Sequence, residues 1–153
     1  MELTQKQFRD FVKEREGTLC VACRLFSSPK KRAEALLGEV LGALWAQREK
    51  LFGEDMPIRF YRILIGNCLG IGPKRTKSLN ALFSKRNDFE DLLDTDRASL
   101  DFILRLQSVA PIERAFAFLW FEGLGLSEIS RIMGVDLETL PQKINKILSN
   151  LKK

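Results

Sequence analysis

Apolar residues recur every three or four positions along most of this chain, and no long stretch alternates apolar with polar residues. The first pattern is typical of amphipathic α-helices and the second of half-buried strands. The sequence therefore predicts an all-α fold. Thr4 and Gln7 form a capping box that starts a first helix, which we expect to run to about Leu25, with a weak position at Gly17.

Proline and glycine divide the rest of the chain into further helices. Ser28 as N-cap and Pro29 at the first helical position start the second helix, and Pro57 starts the third. Gly and Pro in the stretch 70–73 end that third helix. Four more helical segments follow residue 98, and Asp136 is predicted to cap the last of them.

Charge divides the chain into three parts. Residues 1–78 carry 15 basic and 9 acidic residues, net +6; residues 79–98 carry 3 and 5, net −2; residues 99–153 carry 7 and 6, net +1. These differences predict two small helical domains, 1–78 and 99–153, joined by a short linker at 79–98. The total charge of +5 and the pI near 9.3 are compatible with a polyanionic partner.

Composition argues against several enzyme classes. The chain has no His, which is the commonest general base and metal ligand. Cys20 and Cys23 form a CxxC inside a helical apolar stripe, where cysteines are usually core residues, and Cys68 stands alone. A redox enzyme that acts through this CxxC is therefore a weaker hypothesis than the two developed below. No metal or organic cofactor is predicted. Without a signal peptide or membrane span, we expect a cytoplasmic protein that is not an enzyme and has no membrane partner.

Residues 126–150 have the spacing of a helix-turn-helix. A short helix at 126–133 precedes Gly134, which can adopt the left-handed conformation of a tight turn, and a longer amphipathic helix follows. That second helix would present side chains able to donate to DNA phosphates and base edges: Thr139, Gln142, Lys143 and Lys146. A plain helical hairpin is the alternative.

Both ends of the chain resemble extracytoplasmic-function sigma factors. Residues 109–153 resemble the fourth conserved region of that family through Glu113-Arg114, Glu122-Gly123-Leu124, Glu128-Ile129-Ser130, Met133-Gly134-Val135-Asp136 and Thr139-Leu140. Residues 33–47 and 58–67 resemble the second region through Glu39-Val40, Leu44-Trp45, Tyr61-Arg62-Ile63 and Asn67.

The resemblance implies a promoter-specificity subunit that binds core RNA polymerase and double-stranded promoter DNA and directs transcription initiation. An anti-sigma factor is a further candidate partner. The family's −35 contacts correspond to Thr139, Gln142, Lys143 and Lys146. Its −10 contacts correspond to Arg59, Phe60, Tyr61, Arg62, Asn67, Lys74, Arg75 and Lys77, and its polymerase-docking surface to Leu36, Glu39, Val40, Leu41 and Trp45. Core packing of the two aromatics, and a solvated charged segment at 74–77, are the alternatives.

Four departures from the family pattern support a second hypothesis. Ala35 and Gly38 replace the usual Asp and Gln of the polymerase-docking helix, and the stretch 68–73 replaces the family's Asp and several Arg with Gly and Pro. Pro141 lies about one turn into the expected recognition helix, where it would remove a hydrogen bond. A sigma-derived regulator or adaptor, which binds a protein partner without melting promoters, would fit these changes.

Overall fold

The computed structural model describes residues 4–27, 30–70 and 105–151. Every regular element in these ranges is helical, which confirms the all-α prediction for the described residues; the division into two domains stays a prediction. The elements are α1 (Gln5–Glu14), α2 (Glu16–Phe26), α3 (Lys30–Ala46), a 3₁₀ turn (Arg48–Lys50), α4 (Met56–Cys68), α5 (Pro111–Phe121), α6 (Leu126–Met133) and α7 (Leu140–Leu151). The predicted cap at Ser28 and Pro29 and the linker 79–98 lie outside the described ranges.

The first predicted helix is two helices. Its start is confirmed, because the Thr4 hydroxyl accepts from the Gln7 amide at 3.2 Å and the Gln7 side chain accepts from the Thr4 amide at 3.0 Å. The prediction of one continuous helix is wrong, since the backbone breaks at Arg15 between α1 and α2, although α2 ends at Phe26, next to the expected Leu25. There the guanidinium folds back, donating to the Phe11 carbonyl at 3.0 Å and lying 3.9 Å above the Phe11 ring.

The buried apolar side chains form one cluster that includes residues from both described parts of the chain, 4–70 and 105–151, here called the N-terminal and C-terminal halves. Helices α2, α3 and α4 pack on one another in the N-terminal half. Six aromatic rings run continuously from α3 to α5, with centroids 5.1 to 6.4 Å apart from each ring to the next: Trp45, Phe8, Phe11, Phe60, Tyr61 and Phe118. Edge-to-face and tilted geometry predominates along this ring chain, which ties the two halves together.

The last two helices are joined by a turn that delays the start of α7. Gly134 ends α6 with φ +67°, the left-handed conformation that the sequence predicted. The expected helix start near Asp136 is wrong: its carboxylate accepts from the Glu138 amide and its carbonyl from the Thr139 hydroxyl, both at 3.2 Å. Helix α7 begins at Leu140, so Pro141 is its second residue, where the missing N–H removes no helical hydrogen bond.

Two arginines join the halves by reciprocal contacts with helix ends. Arg114 of α5 donates from Nη1 to the carbonyl of Leu25, in the last turn of α2, at 3.2 Å. Arg62 of α4 donates from Nη2 to the carbonyl of Arg131, in the last turn of α6, at 2.6 Å. Carbonyls in the last turn of a helix have no partner within it and carry the negative end of its dipole. Each half therefore caps a helix of the other.

No helix within the described residues combines the length and the hydropathy needed to cross a lipid bilayer.

Candidate nucleic-acid interface

A basic cleft lies where the 3₁₀ turn meets the first turns of α4. Its volume is about 370 Å³, and its lining comprises Gln47, Glu49, Lys50, Arg59, Arg62 and Ile63. Arg59 donates to the carbonyl of Lys50 at 3.1 Å, which fixes one guanidinium against the turn. Three cations face one carboxylate, so the cleft has the charge to attract an anion such as a phosphate.

The residues predicted at a −10 element lie on different faces of α4. Arg59 and Arg62 line the cleft, whereas Phe60 is 2% exposed and packs edge-to-face on Phe11. Asn67 is buried and donates to the carbonyl of Ile63 at 2.8 Å. Phe60 therefore has the core role that the sequence left as its alternative, and its ring faces no solvent in this arrangement. The basic residues Lys74, Arg75 and Lys77 lie outside the described ranges.

Tyr61 faces the other half of the chain. Its hydroxyl donates to a carboxylate oxygen of Glu122 at 3.1 Å, and its ring lies 6.4 Å from that of Phe118. Burial, followed by the negative charge of Glu122, raises the pKa of Tyr61 above its ordinary value. The phenol is therefore a neutral donor at physiological pH, and its face is occupied by α5.

Helix α7 has a buried face and a basic exposed face. Leu140, Ile144 and Ile147 are buried, each at most 3% exposed. The residues predicted to contact DNA are exposed, and Gln142, Lys143 and Lys146 lie within the helix, while Thr139 precedes it. The Lys143 ammonium lies 5.0 Å from the centre of the Phe116 ring, within cation–π range. Three of the four predicted residues thus share one helix, and Thr139 belongs to the turn.

The residues predicted to dock on polymerase lie mostly inside the molecule. On α3, Leu36, Val40 and Leu41 are buried, while Glu39 is half-buried. The half-buried ring of Trp45 packs edge-to-face on Phe8, with a guanidinium 4.0 Å above it. The apolar stripe of α3 is therefore filled by the protein's own helices in this arrangement.

Two residues that join the halves, Arg131 and Asp55, had no functional signal in the sequence. Arg131 pairs with Asp55 at 3.2 Å, and its carbonyl accepts from Arg62. Arg114 was noticed as part of the Glu113-Arg114 motif, but its role as a cap for α2 depends on a contact 89 residues away. Asp55 had no signal, because no local pattern in residues 53–57 indicates a contact with α6.

The cysteines are packed in the N-terminal half. Cys20 and Cys23 are buried on α2, and burial raises the pKa of the Cys23 and Cys68 thiols well above their ordinary value. Among the described residues no group of three or more His, Cys, Asp or Glu side chains is arranged to hold a metal ion.

No protein-family model, curated protein or solved structure matches this chain.

Proposed function

We propose that this protein is a sigma-like transcription initiation factor that binds duplex DNA through α6 and α7, arranged as a helix-turn-helix, and acts with core RNA polymerase in the cytoplasm. The observation that carries the proposal is the geometry of α7. Its buried residues anchor it against α5 and α6, while Gln142, Lys143 and Lys146 remain exposed on a helix that follows a left-handed glycine turn. This combination is what a recognition helix needs.

The exposed side chains of α7 would have different tasks at DNA. A lysine is a point charge without the planar fork of arginine, so Lys143 and Lys146 would attract phosphates of any sequence. The Gln142 amide can donate and accept at once, which matches the N6 and N7 atoms of adenine. Sequence preference would therefore depend on Gln142, and salt sensitivity on the two lysines.

The basic cleft supports a second contact with nucleic acid. Lys50, Arg59 and Arg62 face a space of about 370 Å³ beside the aromatic helix α4. A displaced single strand carries a row of backbone phosphates, which a basic cleft of this kind can bind. In the proposed function, α7 holds the duplex while the cleft holds the strand opened by polymerase.

The test is a binding series on duplex DNA with a selected sequence and on a scrambled one, followed by fluorescence anisotropy. Lys146→Ala should weaken binding to both DNAs and reduce the slope of log affinity against log salt by about one unit. Gln142→Ala should cost about 1–3 kcal/mol on the selected DNA only. Lys146 is a cleaner probe than Lys143, whose ammonium also packs on Phe116.

Lys6→Ala is the matched control, since Lys6 is an exposed lysine on α1. If Lys146→Ala and Lys6→Ala lose equal affinity, α7 has no special contact with DNA and the proposal fails. Equal losses on both DNAs for Gln142→Ala would remove that residue as the base contact.

A second candidate function is a sigma-derived adaptor that binds a protein without melting promoters. The observation that favours it is the engagement of Tyr61, Phe60 and the α3 stripe inside the molecule. Run-off transcription with core polymerase separates the two: promoter-dependent transcripts support the first function, and binding to polymerase without transcripts supports the second.

A further inference from the structure

The Arg62 side chain takes part in two features of the structure. It lines the basic cleft, and its Nη2 donates at 2.6 Å to the carbonyl of Arg131 in the last turn of α6. That carbonyl offers the partial negative charge of a helix end, whereas a phosphate offers a full charge and can accept two parallel hydrogen bonds from a guanidinium. A phosphate in the cleft and the end of α6 therefore compete for the same side chain.

We propose that the contact of α6 with α4 is self-inhibitory: while α6 is docked, Arg62 is withheld from the cleft, and a single strand binds there fully only after α6 leaves α4. The inference rests on the proposed function, since the ligand is nucleic acid. It adds that the two basic surfaces, α7 and the cleft, are not available independently, because α6 is the helix that precedes α7.

The polar contacts that join α6 to the N-terminal half lie at the surface, where water can replace them. Beside the Arg62 bond, the Arg131 guanidinium pairs with Asp55 at 3.2 Å, with side chains 52% and 49% exposed. An ion pair this exposed stabilises a contact only weakly. The α4–α6 contact therefore suits a reversible device, in which a polyanion shifts the population toward the undocked form.

Asp55→Asn tests the proposal without touching the cleft. It weakens the pair with Arg131 and leaves Lys50, Arg59 and Arg62 intact. It removes no helix cap, because the Asp55 side chain makes no capping hydrogen bond to α4. The probe is a short fluorescent single-stranded DNA, titrated by anisotropy. The control is Glu54→Gln, which removes the same charge at the neighbouring exposed residue of the turn.

We expect Asp55→Asn to bind the strand about two- to five-fold more tightly than Glu54→Gln, because apparent affinity rises with the fraction of undocked molecules. Equal affinities for the two variants would overturn the proposal. The comparison cancels the general effect of one lost negative charge on the attraction of DNA.

A second measurement reports undocking without any ligand. Arg62→Ala removes the bond to α6, whereas Arg59→Ala removes a cation of the same cleft that bonds only within its own half. Small-angle X-ray scattering should give a larger radius of gyration for Arg62→Ala than for Arg59→Ala. Identical scattering of the two variants would show that Arg62 does not hold α6 and would also overturn the proposal.

The outcomes separate this inference from the function on which it rests. If Lys146→Ala weakens duplex binding as expected but Asp55→Asn equals Glu54→Gln, the nucleic-acid function stands and the self-inhibition is wrong. If neither the wild type nor Asp55→Asn binds either DNA, although scattering reports undocking, the nucleic-acid function is wrong and the inference falls with it.

Discussion

The Arg114 guanidinium donates three hydrogen bonds, each to a backbone carbonyl. Its Nε donates to the carbonyl of Val109 at 2.7 Å, its Nη2 to that of Gln107 at 3.0 Å and its Nη1 to that of Leu25 at 3.2 Å. The first two bonds fix the turn before α5, and the third caps α2. Arg114→Ala should therefore destabilise both halves together.

The magnitude follows from the three bonds. A hydrogen bond to a charged group contributes about 1.5–3 kcal/mol, but carbonyls at a partly exposed site regain some of this from water. Taking the lower value and allowing one bond to be replaced by water, the loss for Arg114→Ala is about 3 kcal/mol. Arg114→Lys keeps the charge but offers a point donor rather than a fork, so it should lose about 2 kcal/mol.

The assay is urea unfolding followed by far-ultraviolet circular dichroism, with free energies obtained by linear extrapolation. Arg105→Ala is the control, since it removes the same charge at an exposed position and should change stability by less than about 0.5 kcal/mol. A loss below about 1 kcal/mol for Arg114→Ala, or a lysine variant as stable as the wild type, would refute the reasoning that the fork matters.

Three further outcomes are expected. Gly134→Ala should cost about 1–2 kcal/mol, because φ is +67° there, whereas Gly66→Ala, in the open interior of α4, should gain about 0.5–1 kcal/mol; urea midpoints check both, and a reversed order would contradict the turn geometry. Tyr61→Phe should lower the free energy of unfolding by about 1 kcal/mol, because it removes the hydrogen bond to Glu122; an unchanged urea midpoint would mean that water satisfies the Glu122 carboxylate instead. Since the folded-state pKa values of Cys23, Cys68 and Tyr61 are raised, the unfolded chain loses its protons first, so the unfolding free energy should fall as pH rises past about 9; a flat urea midpoint up to about pH 10 would contradict this.

Local sequence signals predicted the structure correctly where the interactions that decide it are local. The capping box of Thr4 and Gln7 involves residues three apart, and the left-handed turn at Gly134 is a property of one residue. Both could be predicted without knowing any neighbour in space. The amphipathic character predicted for the second helix of the helix-turn-helix is a local pattern too, and Leu140, Ile144 and Ile147 form the buried face of α7.

The errors arose where a distant or competing contact decides the outcome. The apolar periodicity continues through Arg15, but the helix breaks there. At the break, the Arg15 side chain donates to the Phe11 carbonyl and lies over the Phe11 ring. Asp136 was expected to cap α7, but its carboxylate and carbonyl serve a turn instead, and the helix starts four residues later. The residue types that favour helix N-caps, such as Asp, also favour turns, so the sequence alone could not distinguish the two roles.

The candidate site could be predicted only as a set of residue types. Arg59 and Arg62 were recognised as basic residues for nucleic acid, but a period of 3.6 residues does not say which face of α4 meets the 3₁₀ turn and which meets α6. The role of Tyr61 depends on Glu122, and that of Arg62 on the end of α6. These pairs lie more than sixty residues apart in the sequence.

The reciprocal arginine contacts also set an order of events during synthesis. The carbonyl of Leu25 receives its partner from a residue 89 positions later in the chain. The last turn of α2 therefore emerges from the ribosome without its cap and waits until α5 has been made, although the rest of the N-terminal half can already collapse. By contrast, Arg62 has already been synthesised when the end of α6 emerges. During translation the Leu25 carbonyl therefore stays without its guanidinium partner until α5 has been made, while the local bond from the Ser27 amide to the Cys23 carbonyl can already form.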